Sequence, residues 1–256
     1  MALQRNDWPI LEYDDAQEAL LMPNRSEGYA FPRDAVLFFH AEAVEQLVQM
    51  HPHTVIGEFE NITKVTRVYR LNWKGRELCL CAAPLGSAAA AQLLDWLIAC
   101  GCRNLLAGGS CGALKALPEG AFLVPERALR DEGASYHYLP PARWAKPDAQ
   151  AVQALCGTLQ AQGLPYARCA TWTTDGFFRE TKALVEARRA EGCAAVEMEC
   201  AALAACAQFR KVRFGQLLYT ADSLAGLSHE ERGWGADAVE QALALVLDAA
   251  ASLAAD

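Results

Sequence analysis

The sequence predicts an α/β fold with a mostly parallel or mixed sheet covered by helices on both faces. Two observations carry this. Short apolar runs with strand character alternate along the chain with segments of helical spacing. Hydrophobic residues make up 53% of the 256 residues, enough to bury a large core. Chains of this class and length commonly stay undivided, and no repeat or low-complexity linker marks a boundary, so residues 1–256 read as one domain.

The elements follow in order. AVLFF (35–39) reads as a buried strand, and AEAVEQLVQM (41–50) has helical spacing. KVTRVYRLNW (64–73) and RELCLCAAP (76–84) read as two strands joined at Lys74-Gly75. SAAAAQLLDWLIAC (87–100) is a helix with a broad apolar face that stops at Gly101. Strands are expected at 103–109 and 121–129, and a long loop at 130–147. A helix from Pro147 to about Gln162, a strand at 166–174 and a helix near 179–191 come next. A strand near 194–196 runs into an Ala-rich helix, and a strand at 213–221 and a helix from about 236 to 254 complete the chain.

The formal charge of −8 opposes binding a polyanion through bulk electrostatics, so no nucleic-acid partner is expected and any phosphate must be met locally. No apolar run approaches the roughly 20 residues that span a bilayer, and residues 1–15 lack the basic-then-apolar order of a signal peptide. A cytoplasmic protein without a membrane partner is the expectation. The ten cysteines lie inside apolar segments and read as reduced small hydrophobes; their spacing suits no metal site.

In such folds ligands gather at the carboxyl ends of strands, and three polar constellations fall there. GGSCGAL places Gly108, Gly109 and Gly112 around Ser110, which reads as a sharp turn whose amides cradle an anion, or as a plain strand-to-helix connection. VEMEC sets Glu197 and Glu199 at a helix N-terminus, where Glu199 either supports the first turn or accepts hydrogen bonds from a vicinal diol while Met198 packs on a sugar. Asp222, in LLYTADSL, is either a cap or a partly desolvated general acid. TWTTDGFFRET puts Phe177 and Phe178 past a strand, as core or as a stacking platform, with Arg179 following. His137 stands in the 130–138 segment without a G-x-S-x-G nucleophile elbow, so it reads as structural or as a substrate contact.

Taken together, GGSCGAL, VEMECAA and TADSL, in this order, resemble the phosphate, ribose and base motifs of the nucleoside phosphorylase family. That family includes purine nucleoside phosphorylases, uridine phosphorylases and methylthioadenosine nucleosidases. The likeness runs from about Ala35 to the C-terminal helix. It implies a three-layer α/β/α sandwich with a mixed, partly barrel-like central sheet. It further implies that Gly109, Ser110 and Gly112 face phosphate, Met198 and Glu199 hold the ribose, Phe177 stacks on the base, and Asp222 contacts or protonates that base. A purine, phosphate as co-substrate, no metal or organic cofactor, and a homo-oligomer (dimer, trimer or hexamer) follow from the same likeness.

The chain departs from the family in one respect. The early phosphate-binding loop is replaced by FHAEAV (39–44), with Ala43 at the arginine position, and Ala107 stands where a second arginine is common. Arg70 is the candidate replacement, reaching a neighbouring subunit's site, with Arg67, Arg179 and His40 as others. Water in place of phosphate, giving a nucleosidase, a uridine phosphorylase, and a nucleoside-binding protein with little catalysis remain alternatives.

Overall fold

A computed structural model describes residues 3–24 and 27–253. After an N-terminal segment with one short 3-10 turn (Pro9–Leu11), the chain runs β1 (Asp34–Phe38), α1 (Ala41–Met50), β2 (His53–Glu60), β3 (Val65–Trp73), β4 (Arg76–Ala82), α2 (Ser87–Ala99) and β5 (Asn104–Ala113). It continues with β6 (Phe122–Asp131), β7 (Trp144–Ala145), α3 (Ala149–Ala161), β8 (Tyr166–Thr174), α4 (Lys182–Ala190), β9 (Cys193–Glu197), α5 (Cys200–Arg210), β10 (Arg213–Ser223) and α6 (Val239–Ser252).

One mixed sheet joins the strands. Its open wing is β2-β3-β4-β1-β5, antiparallel at the outer edge and parallel where β1 pairs with β4 and β5. Beyond β5 the sheet closes: β10, β6, β8 and β9 follow in turn, β9 returns to β5, and β5 also pairs with β10. The result is a five-stranded barrel, so the α/β sandwich with a mixed, partly barrel-like sheet is the observed fold.

Period-two alternation distributes the core. Ala35 and Leu37 of β1 join the cluster beneath α2 and α5, whereas Val36 and Phe38 join the one beneath α1, α3 and α6. Helices therefore cover both faces. Asp148 caps α3 by accepting from the amides of Gln150 and Ala151, and Thr181 caps α4 through the amide of Leu184. The helix α5 ends at Lys211 in a left-handed conformation, and Asp95 of α2 holds Arg210 at its last turn with contacts of 2.7 and 2.9 Å. All ten cysteines are free and nine are buried, as their apolar settings suggest.

Several boundaries differ from the sequence expectation. The strand β2 has no counterpart in it, because this edge strand is mostly exposed and lacks an apolar alternation. The expected long loop at 130–147 contains the end of β6, a 3-10 turn (Ala134–His137) and β7. The helix near 179–191 starts only at Lys182, and the last helix is a 3-10 turn (Ala236–Ala238) followed by α6; residue 254 lies outside the described residues. Most consequential is β5, which runs on through GGSCGA instead of ending near Ala107.

Those glycines serve close packing. A Cβ on Gly108 would meet Phe38 and Val246 at 2.8 Å. We expect Gly108→Ala to lower unfolding free energy by about 1–3 kcal/mol, the usual cost of overpacking, in urea titrations monitored by circular dichroism; an unchanged midpoint would show that this contact relaxes without cost.

Candidate active site

The closed end of the sheet builds a cleft. β5 contributes Gly109, Ser110 and Gly112, β9 and the start of α5 contribute Glu197, Met198 and Glu199, and β10 contributes Gln216 and Asp222. Phe39, Leu85, Phe177, Glu180 and Trp234 complete much of the rim. Every residue expected at phosphate, ribose and base, except Arg70, therefore lines one cleft.

Local structure explains why each side chain points there. Glu197 ends β9 fully inside the fold, at 6% exposure. Its Oε1 accepts from the Thr173 hydroxyl at 2.5 Å, and its Oε2 accepts from the amides of Glu199 (2.8 Å) and Cys200 (2.6 Å). This carboxylate thus caps α5 from outside the helix, satisfying N–H groups that the first turn leaves unpaired. Thr173 in turn accepts from the amide of Ala201 at 3.0 Å.

Glu199 is the residue before α5, yet its side chain makes no cap hydrogen bond. It reaches instead to the amide of Gly86, at 2.6 Å, where α2 begins. Ser87 adds a bond of 2.6 Å to the carbonyl of Met198, so the starts of α2 and α5 are tied at the cleft wall. Gly86 has φ of 92°, a left-handed setting that suits glycine.

Burial and the charge of Glu197 both raise the pKa of Glu199. Burial likewise raises that of Glu197, but its four donors, the three above and Thr171 at 3.4 Å, favour its charged form, so Glu199 is the member of the pair that takes up a proton more readily. Glu180, on the segment after Phe177, is pushed up to about 7 by burial and by the charge of Asp222.

Asp222 is the last residue but one of β10, at 8% exposure. A Cβ on Gly112 would come within 3.2 Å of its Oδ1, so the missing side chain at Gly112 leaves that oxygen room. Its Oδ2 meets His229 Nε2 at 3.1 Å. Gln216, also on β10, is 1% exposed and its Oε1 has no hydrogen-bond partner in the fold. A buried carbonyl of this kind calls for a ligand atom or a water molecule.

The expected anion-cradling turn is not formed. Gly108, Gly109 and Gly112 are strand residues, none with positive φ, and Gly112 sits in the ladder opposite Val196. Ser110 is the exposed residue in this stretch and faces the cleft.

The replacement cations also stand elsewhere. Arg70 lies on the exposed face of β3, 3.4 Å from Thr54 Oγ1 and 3.9 Å from Glu77. Arg67, on the same strand, pairs with Glu58 at 3.5 Å, and His40 accepts from the amide of Ala43 at the start of α1. Arg179 and the exposed His137 do not line the cleft. Ala43 and Ala107 are buried. Among the described residues no Lys, Arg or His lines the cleft, and Glu180, Glu197, Glu199 and Asp222 give it an acidic wall.

Sequence reading missed Glu180, Gln216, His229 and Trp234. Glu180 and Trp234 sit in polar, Gly-containing stretches whose path is irregular, and Gln216 lies in an apolar run where a period-two pattern alone cannot say which face opens on a cleft. His229 is brought back to Asp222 by a return of the chain in which Glu230 bridges Ser223, with amide-to-carbonyl bonds of 2.9 and 3.0 Å.

Comparison with known proteins agrees with this architecture. A guanosine phosphorylase from Halorubrum lacusprofundi is 27% identical over 195 residues, covering 73% of this chain and 81% of that protein. The structure of a purine nucleoside phosphorylase from Toxoplasma gondii in complex with immucillin-H superposes with a TM-score of 0.75 at 18% identity, over 87% of this chain and 92% of that one. A uridine phosphorylase from Vibrio fischeri gives 0.73 at 20% identity, over 90% and 93%. The family model of the phosphorylase superfamily matches residues 35–252, which takes in the closed barrel, both helical layers and every wall of the cleft; the chain belongs to the phosphorylase superfamily.

Proposed function

We propose that this protein cleaves the N-glycosidic bond of a purine nucleoside with phosphate as acceptor, giving free base and ribose 1-phosphate. The observation that carries this reading is the placing of two buried carboxyl groups, Glu199 and Asp222, in the walls of one cleft with Met198 and Phe177. Breaking the bond builds positive charge on the sugar while the base departs with the electron pair. A carboxylate fixing the ribose hydroxyls and an acid at the base both favour that transition state. Phe177, 46% exposed at the rim, stacks on the purine.

Similarity to the guanosine phosphorylase supports both the purine and the phosphate. Ser110 with Gly109 and Gly112 is the phosphate wall, and Arg70, exposed on β3, reaches that wall from a second copy in a homo-oligomer. No metal or organic cofactor is needed for this chemistry. Water as acceptor is the second reading, favoured by one observation: a wall that holds carboxyl groups and no cation repels a phosphate dianion.

Incubating the protein with guanosine, inosine, adenosine, uridine and methylthioadenosine, with and without phosphate, separates these readings by chromatography. Phosphate-dependent release of a purine with ribose 1-phosphate is expected. Equal release without phosphate, giving free ribose, would replace phosphorolysis by hydrolysis, and release of uracil alone would overturn the purine.

Glu199→Gln should cut kcat/KM on guanosine by roughly 10- to 100-fold, the worth of hydrogen bonds to a charged group, with a smaller loss on 2′-deoxyguanosine. Equal losses on the two would remove the 2′-hydroxyl contact.

The same substitution tests the electrostatics. A carboxyl whose folded pKa is raised costs no stability below about pH 4, where it is protonated in both states, and an increasing amount as pH climbs from there towards its folded value. Glu199→Gln should therefore stabilise the fold by about 1–3 kcal/mol at pH 8 and by less at pH 5, in denaturant titrations at each pH; a pH-independent difference would show that Glu199 is not strained by burial and Glu197.

A further inference from the structure

We propose that Gln216 holds the phosphate co-substrate: its carboxamide Nε2 donates to a phosphate oxygen while its Oε1 accepts the proton that monohydrogen phosphate carries. The inference rests on phosphate being the acceptor and goes beyond that reading by naming a residue that grips and selects it.

The place of Gln216 in the sheet is the first ground. In the parallel ladders it stands in one row with Ala107 of β5, Leu37 of β1 and Cys81 of β4. Those neighbours are apolar and fully buried, and they pack beneath α2 and α5. Along β10, Phe214 and Leu218 share the face of Gln216 and are apolar and buried as well. An amide in such surroundings loses its hydration, which costs free energy unless partners replace the water. Gln216 is 1% exposed, and its Oε1 has no partner in the fold. Packing alone would be met here by Leu or Met. The amide therefore serves something that enters the cleft.

Position along the cleft chooses the ligand. Asp222, the carboxyl at the base in the proposed function, stands near the end of β10 beside Gly112. Gln216 lies towards the start of that strand, where β10 pairs with Ala107 and where Gly109 and Phe39 line the cleft. A Cβ on Gly109 would meet the Cβ of Phe39 at 3.0 Å, so β5 presents bare backbone at this point. By the period of two, Gly109 shares the face of Ala107 and Gln216, and it belongs to the proposed phosphate wall. The amide thus flanks the acceptor, not the purine.

Chemistry decides the form of the anion. Among the described residues no Lys, Arg or His lines the cleft, so this wall offers phosphate hydrogen bonds and no positive charge. A carbonyl oxygen repels a bare oxyanion and binds an O–H. Monohydrogen phosphate has both kinds of oxygen. With its O–H given to Oε1 and another oxygen taking the Nε2 donor, an unprotonated oxygen remains to attack the sugar. Sulfate has the same charge and nearly the same size but no proton at neutral pH, so it leaves Oε1 unpaired.

The experiment measures initial rates on guanosine at pH 8 for the wild type, Gln216→Met and Gln216→Leu, with inorganic phosphate varied and with sulfate as inhibitor. Both substitutions nearly keep the volume and remove an unpaired buried carbonyl, so they should leave the fold intact. We expect KM for phosphate to rise about 10- to 100-fold in both, the worth of hydrogen bonds to a charged group, with KM for guanosine within about threefold of wild type. Sulfate should inhibit the wild type only at concentrations about tenfold or more above KM for phosphate, and the two anions should converge to within about threefold in Gln216→Met. The KM for guanosine reports that each variant is folded, and the sulfate comparison on the wild type needs no variant. An unchanged KM for phosphate, a rise confined to KM for guanosine, or sulfate binding the wild type as tightly as phosphate would overturn the role of Gln216 while leaving phosphorolysis standing. Phosphate-independent release of base by the wild type would overturn phosphorolysis itself, and this inference with it.

Discussion

The carboxylate of Glu197, buried at the end of β9, is the constraint on which the site is built. A charge in that position must be surrounded by donors, and the fold supplies them from β8 through Thr173 and from the first residues of α5 through two amides. The same bonds fix where the strand turns into the helix. They leave Glu199 with its side chain free of capping duty and directed to Gly86, so the entry to α2 is held in the same arrangement. Ribose recognition, in the proposed function, is thus prepared by a neighbour whose carboxylate is taken up by the protein's own donors.

The closing of the sheet decides what else shares this wall. β5 pairs with β1 along its first half, with β10 along nearly its whole length and with β9 at Gly112 and Ala113, so one strand belongs to both the open wing and the barrel. This fork carries Ser110 and Gly112 to the face where Glu199 and Asp222 stand. Glycine is required there by proximity: the Cβ of a larger residue at Gly112 would lie 2.9 Å from Val196 and would crowd Asp222. The strand therefore contributes space where a turn with inward-facing amides was expected.

Charge distinguishes this cleft from the generic picture of an anion site. Its wall holds carboxyl groups whose acidity is weakened by burial and by one another, and Arg67 and Arg70 are engaged away from it, with Glu58 and Glu77 on the outer wing. Such a wall suits ribose hydroxyls and the N–H edge of a base, which donate hydrogen bonds. An anionic acceptor, in the proposed function, needs a counter-charge from outside this wall.

Much of this was legible in the residues. Alternating strand and helix patterns specify the layered α/β architecture because burial on two faces demands continuous apolar strands, and two acidic residues in an Ala- and Cys-rich stretch announce a site because buried charge is costly without partners. Met198, Glu199, Phe177, Ser110 and Asp222 could be named on that basis and the resemblance that followed. The barrel closure, the run of β5 through its glycines, the edge strand β2, the opening of Gln216 onto the cleft and the approach of His229 to Asp222 were not legible. Each of these depends on which segments meet across the sheet, and pairings between residues distant in sequence leave no periodic trace in either segment alone.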